Sequence, residues 1–351
     1  MPTLPPPMTD RERDLLAAAR SGDDDAYAGL VAPYRAALHA HCYRMLGSLP
    51  DAEDALQESL LRAWRGLPRF EGRSSLRAWL YTIATNACLK AIERRPRRVL
   101  PLDCGAPGDP DDGPGRPLIE SAWIDPYPDR EIGLEDGLAA PDARYEQRES
   151  VELAFIAVLQ QLPVRQRAVL ILRDVLGLSG AETAAALGTT PASVYSALQR
   201  AHRTLDRRRL DRSQQATLRA LGDPALAEIV DAYVDAWERR DIDAVVAMLT
   251  EDAVLAMPPF PAWFRGRADI AAFLAARPLA PDARWRLTPT RANGQLGVAH
   301  YLWREERSEV RAHSITVITL AGERIAEIMA FLDPSTFPAF GLPLVRSQGP
   351  D

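Results

Sequence analysis

The hydrophobic pattern changes character along the chain. From Asp10 to Arg98 apolar residues recur every three or four positions, the period of an α-helix. Asp23, Asp24 and Asp25 precede a helix bearing Ala26, Leu30, Val31 and Tyr34, and His39 to Leu46 continues it. Ser48 and Asp51 start another, DAEDALQESLLRAW. There Ala52, Leu56, Leu60 and Trp64 face one way, while Asp51, Glu53, Asp54, Gln57 and Glu58 stay exposed. Phe70 to Ser75 is a short polar loop carrying Gly72 and Arg73. The next helix turns Leu76, Leu80, Ile83, Ala84, Ala87 and Ala91 inward, with Trp79, Thr82, Thr85 and Asn86 on its flank or outer side.

Helical spacing returns from Glu146 to Leu162, with Val151, Phe155, Val158 or Leu159, and Leu162 on one side before Pro163 breaks it. Val164 to Leu176 forms the next helix, ended by Gly177. Ser179 and Glu182 have capping-box spacing, so a helix starts there and runs to Leu187. Gly188 accepts the positive φ that ends it. Thr190 caps a second helix with Pro191 at its first position. In that helix Val194, Leu198, Ala201 and Leu205 share one face, and Ser196, Gln199, Arg200, Arg203 and Arg207 lie opposite. Such a helix can enter a major groove, where arginine meets phosphate and guanine and glutamine meets adenine. The same pattern also fits two packed helices with a solvated basic face.

Beyond Gly222 the pattern is mixed. Leu226, Ile229 or Val230, Tyr233 and Trp237 mark an amphipathic helix, and Asp243 to Leu249 another. Strand-like runs follow at 253–257, 283–288, 297–303, 310–320 and 324–331, with Gly322 in a hairpin turn. Helices followed by a meandering antiparallel sheet predict an α+β domain. The apolar tail DPSTFPAFGLP, with Phe337, Phe340 and Leu342, is expected to pack on that domain, with the upstream helical domains as the alternative.

Charge adds the domain organisation. The net charge of -6 hides segregation: 62–98 holds ten basic residues against two acids, and 100–145 holds eleven acids against three arginines. The acidic stretch also carries eight prolines and little periodicity, which makes it a linker. Within it SAWIDPYPD, with Trp123 and Tyr127, reads as a docked island. The acidic face at Asp51–Glu58 fits either a solvated surface or a dock for a basic partner. Trp79 and small polar groups beside Arg94, Arg95, Arg97 and Arg98 suit single-stranded nucleic acid, although each aromatic by itself also reads as core.

Cys42, Cys88 and Cys104 lack disulfide-framework spacing, the start lacks an apolar signal region, and no apolar run of about eighteen residues exists. A cytoplasmic protein is expected. His39 and His41 diverge on a helix, so with Cys42 they make no metal site, and no cofactor is expected.

Two long runs carry a family resemblance. MLGSLPDAEDALQESLLRAWRGLPRFEGRSSLRAWLYTIATNACL and, downstream, LPVRQRAVLILRDVLGLSGAETAAALGTTPASVYSALQRA resemble the two domains of an extracytoplasmic-function (ECF) sigma factor of the sigma-70 family. The long linker and C-terminal extension resemble its sigma-G-like subgroup. The resemblance implies a multidomain protein: two all-α domains at 10–98 and 146–212, the second with the helix-turn-helix, an acidic linker at 99–145, and an α+β domain at 222–342.

It also implies roles. Asp51, Glu53, Asp54, Gln57, Glu58 and Trp64 would bind core RNA polymerase. Phe70, Glu71, Gly72, Arg73, Ser74, Trp79 and Asn86 would capture the melted minus-ten element. Ser193, Ser196, Gln199, Arg200, Arg203 and Arg207 would read the minus-35 element. Promoter DNA and core polymerase are the implied partners, and an anti-sigma factor stays open.

The runs DAYVDAWERRDIDAVVAMLTEDAVLAMPP and GERIAEIMAFLDP resemble a SnoaL-like domain, the ketosteroid-isomerase-type cone. This implies a curved sheet around a pocket, with Met257, Trp263, Phe264, His300, Trp303, His313 and Asp333 as lining candidates and a small-molecule ligand as a further partner. No catalytic carboxylate is identifiable, so the expectation is a sigma factor directing promoter recognition and transcription initiation, modulated by its cone, and not an enzyme. The alternatives are a DNA-binding regulator independent of core polymerase and a SnoaL-like enzyme fused to regulatory domains.

Overall fold

The computed structural model describes residues 9–72, 74–93, 95–118, 123–132, 150–207, 214–304 and 309–346. Arg73, Arg94 and the first residues of the expected helix at 146–162 lie outside them. The chain divides into two compact units, one of Met1–Arg97 with Ile156–Leu210, the other of Arg98–Phe155 with Asp211–Asp351.

The first unit is helical. Thr9 and Glu12 close a capping box at the start of α1 (Asp10–Arg20), and Asp23 caps α2 (Asp24–Val31). Next come α3 (Arg35–Leu46), α4 (Leu49–Gly66) and α5 (Leu76–Ile92). Helix α3 is buried continuously from Leu38 to Leu46, including His39, His41 and Arg44, so it forms the centre on which α4 and α5 pack. Thr85, expected on the flank or outer side, is instead fully buried. Its hydroxyl lies 2.9 Å from His41 Nε2 and donates to Tyr81 O at 2.7 Å. A hydroxyl satisfied by its own helix and by a buried imidazole belongs in a core.

The second part of the unit contains α6 (Leu153–Gln161), which begins across the division, α7 (Val164–Leu170), α8 (Gly180–Ala186) and α9 (Pro191–Arg207). Helix α7 runs on into a π-turn at Ile171–Val175. The two parts are joined by Arg167. Its guanidinium donates to Met45 O at 2.5 Å, Gln160 Oε1 at 2.6 Å and Gln160 O at 2.9 Å.

In the second unit, α10 (Gln214–Glu238) is broken at Gly222, whose φ is 76°, and is followed by α11 (Ile242–Ala247). The strands are β1 (Leu249–Ala256), β2 (Trp263–Arg265), β3 (Trp285–Ala292), β4 (Gln295–Arg304), β5 (Glu309–Ala321), β6 (Arg324–Phe331) and β7 (Val345–Arg346). They form one sheet in the order β2-β1-β6-β5-β4-β3, with β7 on β5. The expected all-antiparallel meander needs one correction: β1 pairs with β6 in parallel, Leu255 opposite Ile328. The chain returns from β1 to the far side of the sheet before β6 arrives beside it, so the two run the same way. Strand β2 and α12 (Arg267–Ala276) were not foreseen.

The linker is largely a part of this unit. Tyr127 and Trp123 are buried, and Pro128 bridges to Ala292. The tail also packs here: Phe337 is fully buried, its ring 5.1 Å from that of Tyr301.

Candidate nucleic-acid and polymerase interfaces, and the cone cavity

The helix-turn-helix forms as its caps dictate. Ser179 Oγ accepts from Glu182 N at 3.2 Å, and the Glu182 carboxylate accepts from Ser179 N at 2.8 Å. Gly188 has φ 58°, and Thr190 Oγ1 accepts from Ser193 N at 3.2 Å. Val194, Ala197 and Ala201 are buried, the first two in a cluster with Val169 and Ala184, while Leu198 and Leu205 are half-buried. The burial leaves Ser193, Ser196, Gln199, Arg200, Arg203 and Arg207 exposed on one helix. Tyr195, which the sequence reading passed over, is 55% exposed and leans over Gly180. A Cβ at Gly180 would meet its hydroxyl at 2.9 Å, a contact relieved by turning the exposed Tyr195 side chain outward.

The loop after α4 places its residues unequally. Glu71, Gly72 and Ser74 are exposed, as is Asn86 on α5. Phe70 is not: it is buried beneath Trp79, ring centroids 4.8 Å apart, and its carbonyl accepts from Arg20. Phe70 therefore supports Trp79, which stays half-exposed over Gly66.

On α4, Glu53, Asp54, Gln57 and Glu58 are exposed. Glu58 accepts from Arg62 at 2.7 Å and Glu53 from Gln57 at 2.7 Å. Asp51 is half-buried and ion-paired with Arg95, and Trp64 is half-buried against Tyr27 at 4.9 Å. Leu61 joins this surface, 43% exposed. Leu60, beside it in sequence, is buried, since successive helix positions are turned by about 100°.

In the second unit the sheet, α10 and α12 enclose a cavity of about 570 Å³. Met257, His300, Trp303 and His313 line it as expected, together with Tyr233, Trp237, Phe273 and Trp285. Three candidates do not. Phe264 is stacked on Phe273 at 4.4 Å in the core, and Trp263 donates Nε1 to Gly105 O at 3.1 Å. Asp333 caps the turn Pro334–Phe340. Phe264 is taken up by the core, Trp263 by its bond to the linker, and Asp333 by a turn beyond the end of β6.

His300 is boxed by aromatic rings, 4.9 Å from Trp237, 6.0 Å from Trp285 and 6.1 Å from Tyr233. Burial drives its pKa down to about 3, with His313 adding repulsion, and burial drives His313 down to about 4. Both rings are neutral at pH 7. Among the described residues no three His, Cys, Asp or Glu cluster as metal ligands would, and no helix is long and apolar enough to cross a membrane.

Comparison with known proteins follows this division. Residues 30–98 match the Sigma-70 region 2 family, 152–205 the Sigma-70 region 4 family, and 230–328 the SnoaL-like domain. The chain belongs to the extracytoplasmic-function RNA polymerase sigma factors. It is 42% identical over 329 residues to ECF RNA polymerase sigma factor SigG of Mycobacterium tuberculosis, covering 93% of this chain and 86% of that one. ECF RNA polymerase sigma factor SigJ of the same organism is 28% identical, over 60% of this chain and 58% of SigJ. The SigJ crystal structure superposes with TM-score 0.55 at 24% identity, over 90% of this chain and 99% of that one, and so shares the fold. As a sigma factor, the protein binds core RNA polymerase and promoter DNA to initiate transcription.

Proposed function

We propose that the residues above divide this activity as follows. Arg200, Arg203, Arg207, Gln199, Ser196 and Ser193 read the minus-35 duplex. Trp79, Asn86 and the Glu71–Ser74 loop, including Arg73, hold the melted minus-ten strand. Glu53, Asp54, Gln57 and Glu58, with Asp51, Trp64 and Leu61 at the margins, meet core polymerase in the cytoplasm. The observation that carries this reading is the exposure of a whole polar helix face, with three arginines, on a helix whose opposite face is buried. Arginine on such a face combines phosphate attraction with guanine recognition. Run-off transcription with core polymerase tests it: promoter-dependent transcripts are expected from the full chain and should be lost in Arg200→Ala/Arg203→Ala. Wild-type transcription by that variant would sink the assignment.

The cone acts as a binding and modulating module, not a catalyst. General bases work best with a pKa near the operating pH, and burial has moved His300 and His313 far below it. Asp282, a carboxylate lining the cavity, is exposed at its rim.

A further inference from the structure

The stretch that matches Sigma-70 region 2 begins at residue 30, so α1 and most of α2 precede it. These two helices nevertheless pack on the elements that carry the functional faces. Thr9 and Asp23 cap them, Gly22 takes a φ of 94° between them, and Leu16, Ala19, Ala26 and Leu30 are buried. From α2 the Tyr27 hydroxyl donates to Leu60 O of α4 at 2.5 Å, and the Tyr27 ring packs on Trp64. From the last residue of α1 the Arg20 guanidinium donates to Phe70 O.

Phe70 is where the loop after α4 departs. Its N–H donates to Leu67 O at 3.1 Å, and its ring is buried under Trp79. At the other end Ser75 caps α5, its Oγ accepting from Ala78 N at 3.1 Å and its carbonyl from Trp79 N at 3.0 Å. Between these anchors Gly72 has a φ of 72°, and among the described residues no atom lies within 4 Å of where a Cβ would stand there. Glu71, Gly72 and Ser74 are exposed, so this loop is held at its ends and not along its length. Trp79 is wedged between Phe70 and Gly66, where a Cβ would meet its Cζ2 at 3.2 Å. A hydrogen bond from a charged donor to a carbonyl fixes the whole peptide plane. Arg20 thereby sets the direction in which the chain leaves Phe70.

We propose that Arg20 is a positioning residue for capture of the melted minus-ten strand. It acts through Phe70, so that the exposed loop and the Trp79 ring are already oriented when unstacked bases arrive. A preformed site binds more tightly because its ordering cost is not incurred on binding. This inference rests on the reading in which that loop and Trp79 hold the melted strand, and the test separates the two.

Holoenzyme is assembled from core polymerase and the full chain, on a promoter that supports run-off transcription, prepared with a mismatched bubble across the minus-ten element. Arg20→Ala and Trp79→Ala should each weaken binding to the bubble about tenfold, and the double variant should lose much less than the product, because both residues act through one loop. Arg20→Lys should recover part of the loss, since it keeps a charged donor but not the planar fork. Affinity for core polymerase, and for a duplex carrying only the minus-35 element, should stay at the wild-type level. Wild-type bubble binding by Arg20→Ala, with Trp79→Ala weakened, overturns the inference and leaves the strand-capture reading standing. Wild-type binding by both variants overturns that reading and the inference with it. Fully multiplicative losses would make Arg20 an independent DNA contact, and an equal loss of core affinity would make it a general stabiliser; either outcome overturns the positioning role.

Discussion

Asn293 and Tyr127 clamp the linker to the cone through reciprocal hydrogen bonds. Asn293 N donates to Tyr127 O at 2.7 Å, and Tyr127 N donates to Asn293 Oδ1 at 2.9 Å. Asn293 Nδ2 also reaches Val151 O at 2.8 Å. Asn293 and Gly294 have φ values of 58° and 68°, the primed turn that joins β3 to β4. Asn293→Gly keeps this backbone and removes only the side-chain bonds. It should cost about 1–3 kcal/mol in urea unfolding, from buried groups left unpaired, and speed proteolysis within residues 98–132. Unchanged cleavage would mean that the clamp does not hold the linker. Truncation at residue 212 would remove the partners of Gly108, Leu118 and Tyr127 and so disturb the linker together with the cone.

Arg200→Ala and Arg203→Ala should each weaken promoter binding by about 1–3 kcal/mol if the residue reads a base, with specificity relaxed at one position. An arginine that meets only phosphate would instead weaken all sequences alike and flatten the salt dependence. Titrations on promoter duplexes at several salt concentrations separate the two.

Reversing charge at Asp54 and Glu58 should lower affinity for core polymerase while leaving the melting temperature unchanged. Both are exposed and lie opposite the buried face of α4. Exposed pairs contribute little to folding, about 0–1 kcal/mol. Competition against wild-type protein for core enzyme measures the loss, and equal competition would remove this face from the interface.

Arg167→Ala should destabilise the first unit by about 2–4 kcal/mol, because it strands several buried acceptors at once. Burial lowers the Arg167 pKa to about 10, so the group stays charged at neutral pH. Urea unfolding checks the size of the effect. Arg167→Lys should recover only part of it, lacking the planar fork that reaches several carbonyls.

The cone should lose stability as pH falls from about 6.5 toward 4. His300 and His313 are held neutral when folded, with pKa values of about 3 and about 4, whereas the unfolded chain takes up protons near 6.5. The unfolded state then binds more protons, and stability rises with pH through this window. Glu327, raised by burial to about 7, acts in the opposite sense above its unfolded value. The comparison is therefore between wild type and His300→Gln, whose melting temperature should fall less steeply on acidification. Parallel curves would show that His300 is not the group responsible.

Local signals carried much of the architecture. The Ser179–Glu182 box, Gly188 and Thr190-Pro191 specify the helix-turn-helix through backbone chemistry within a few residues. The runs Gly297–Trp303 and Val310–Leu320, rich in apolar, aromatic and β-branched residues, mark strands. An Asn293-Gly294 turn was equally legible and was passed over. Less could be read where two surfaces compete for a residue. Thr85 and Phe70 looked external or functional in isolation, and are buried by His41 and Trp79.

The sequence by itself determined most of the helices and strands, the two promoter-binding motifs and much of the exposed faces, because period and capping act over one or two turns of chain. Only the tertiary structure decided the parallel β1–β6 pairing, the docking of Tyr127 on Asn293, and the gathering of Tyr233, Trp237 and His300 on one cavity wall. Those depend on contacts between residues far apart in the chain, where pairing and burial are settled by packing and leave no periodic trace.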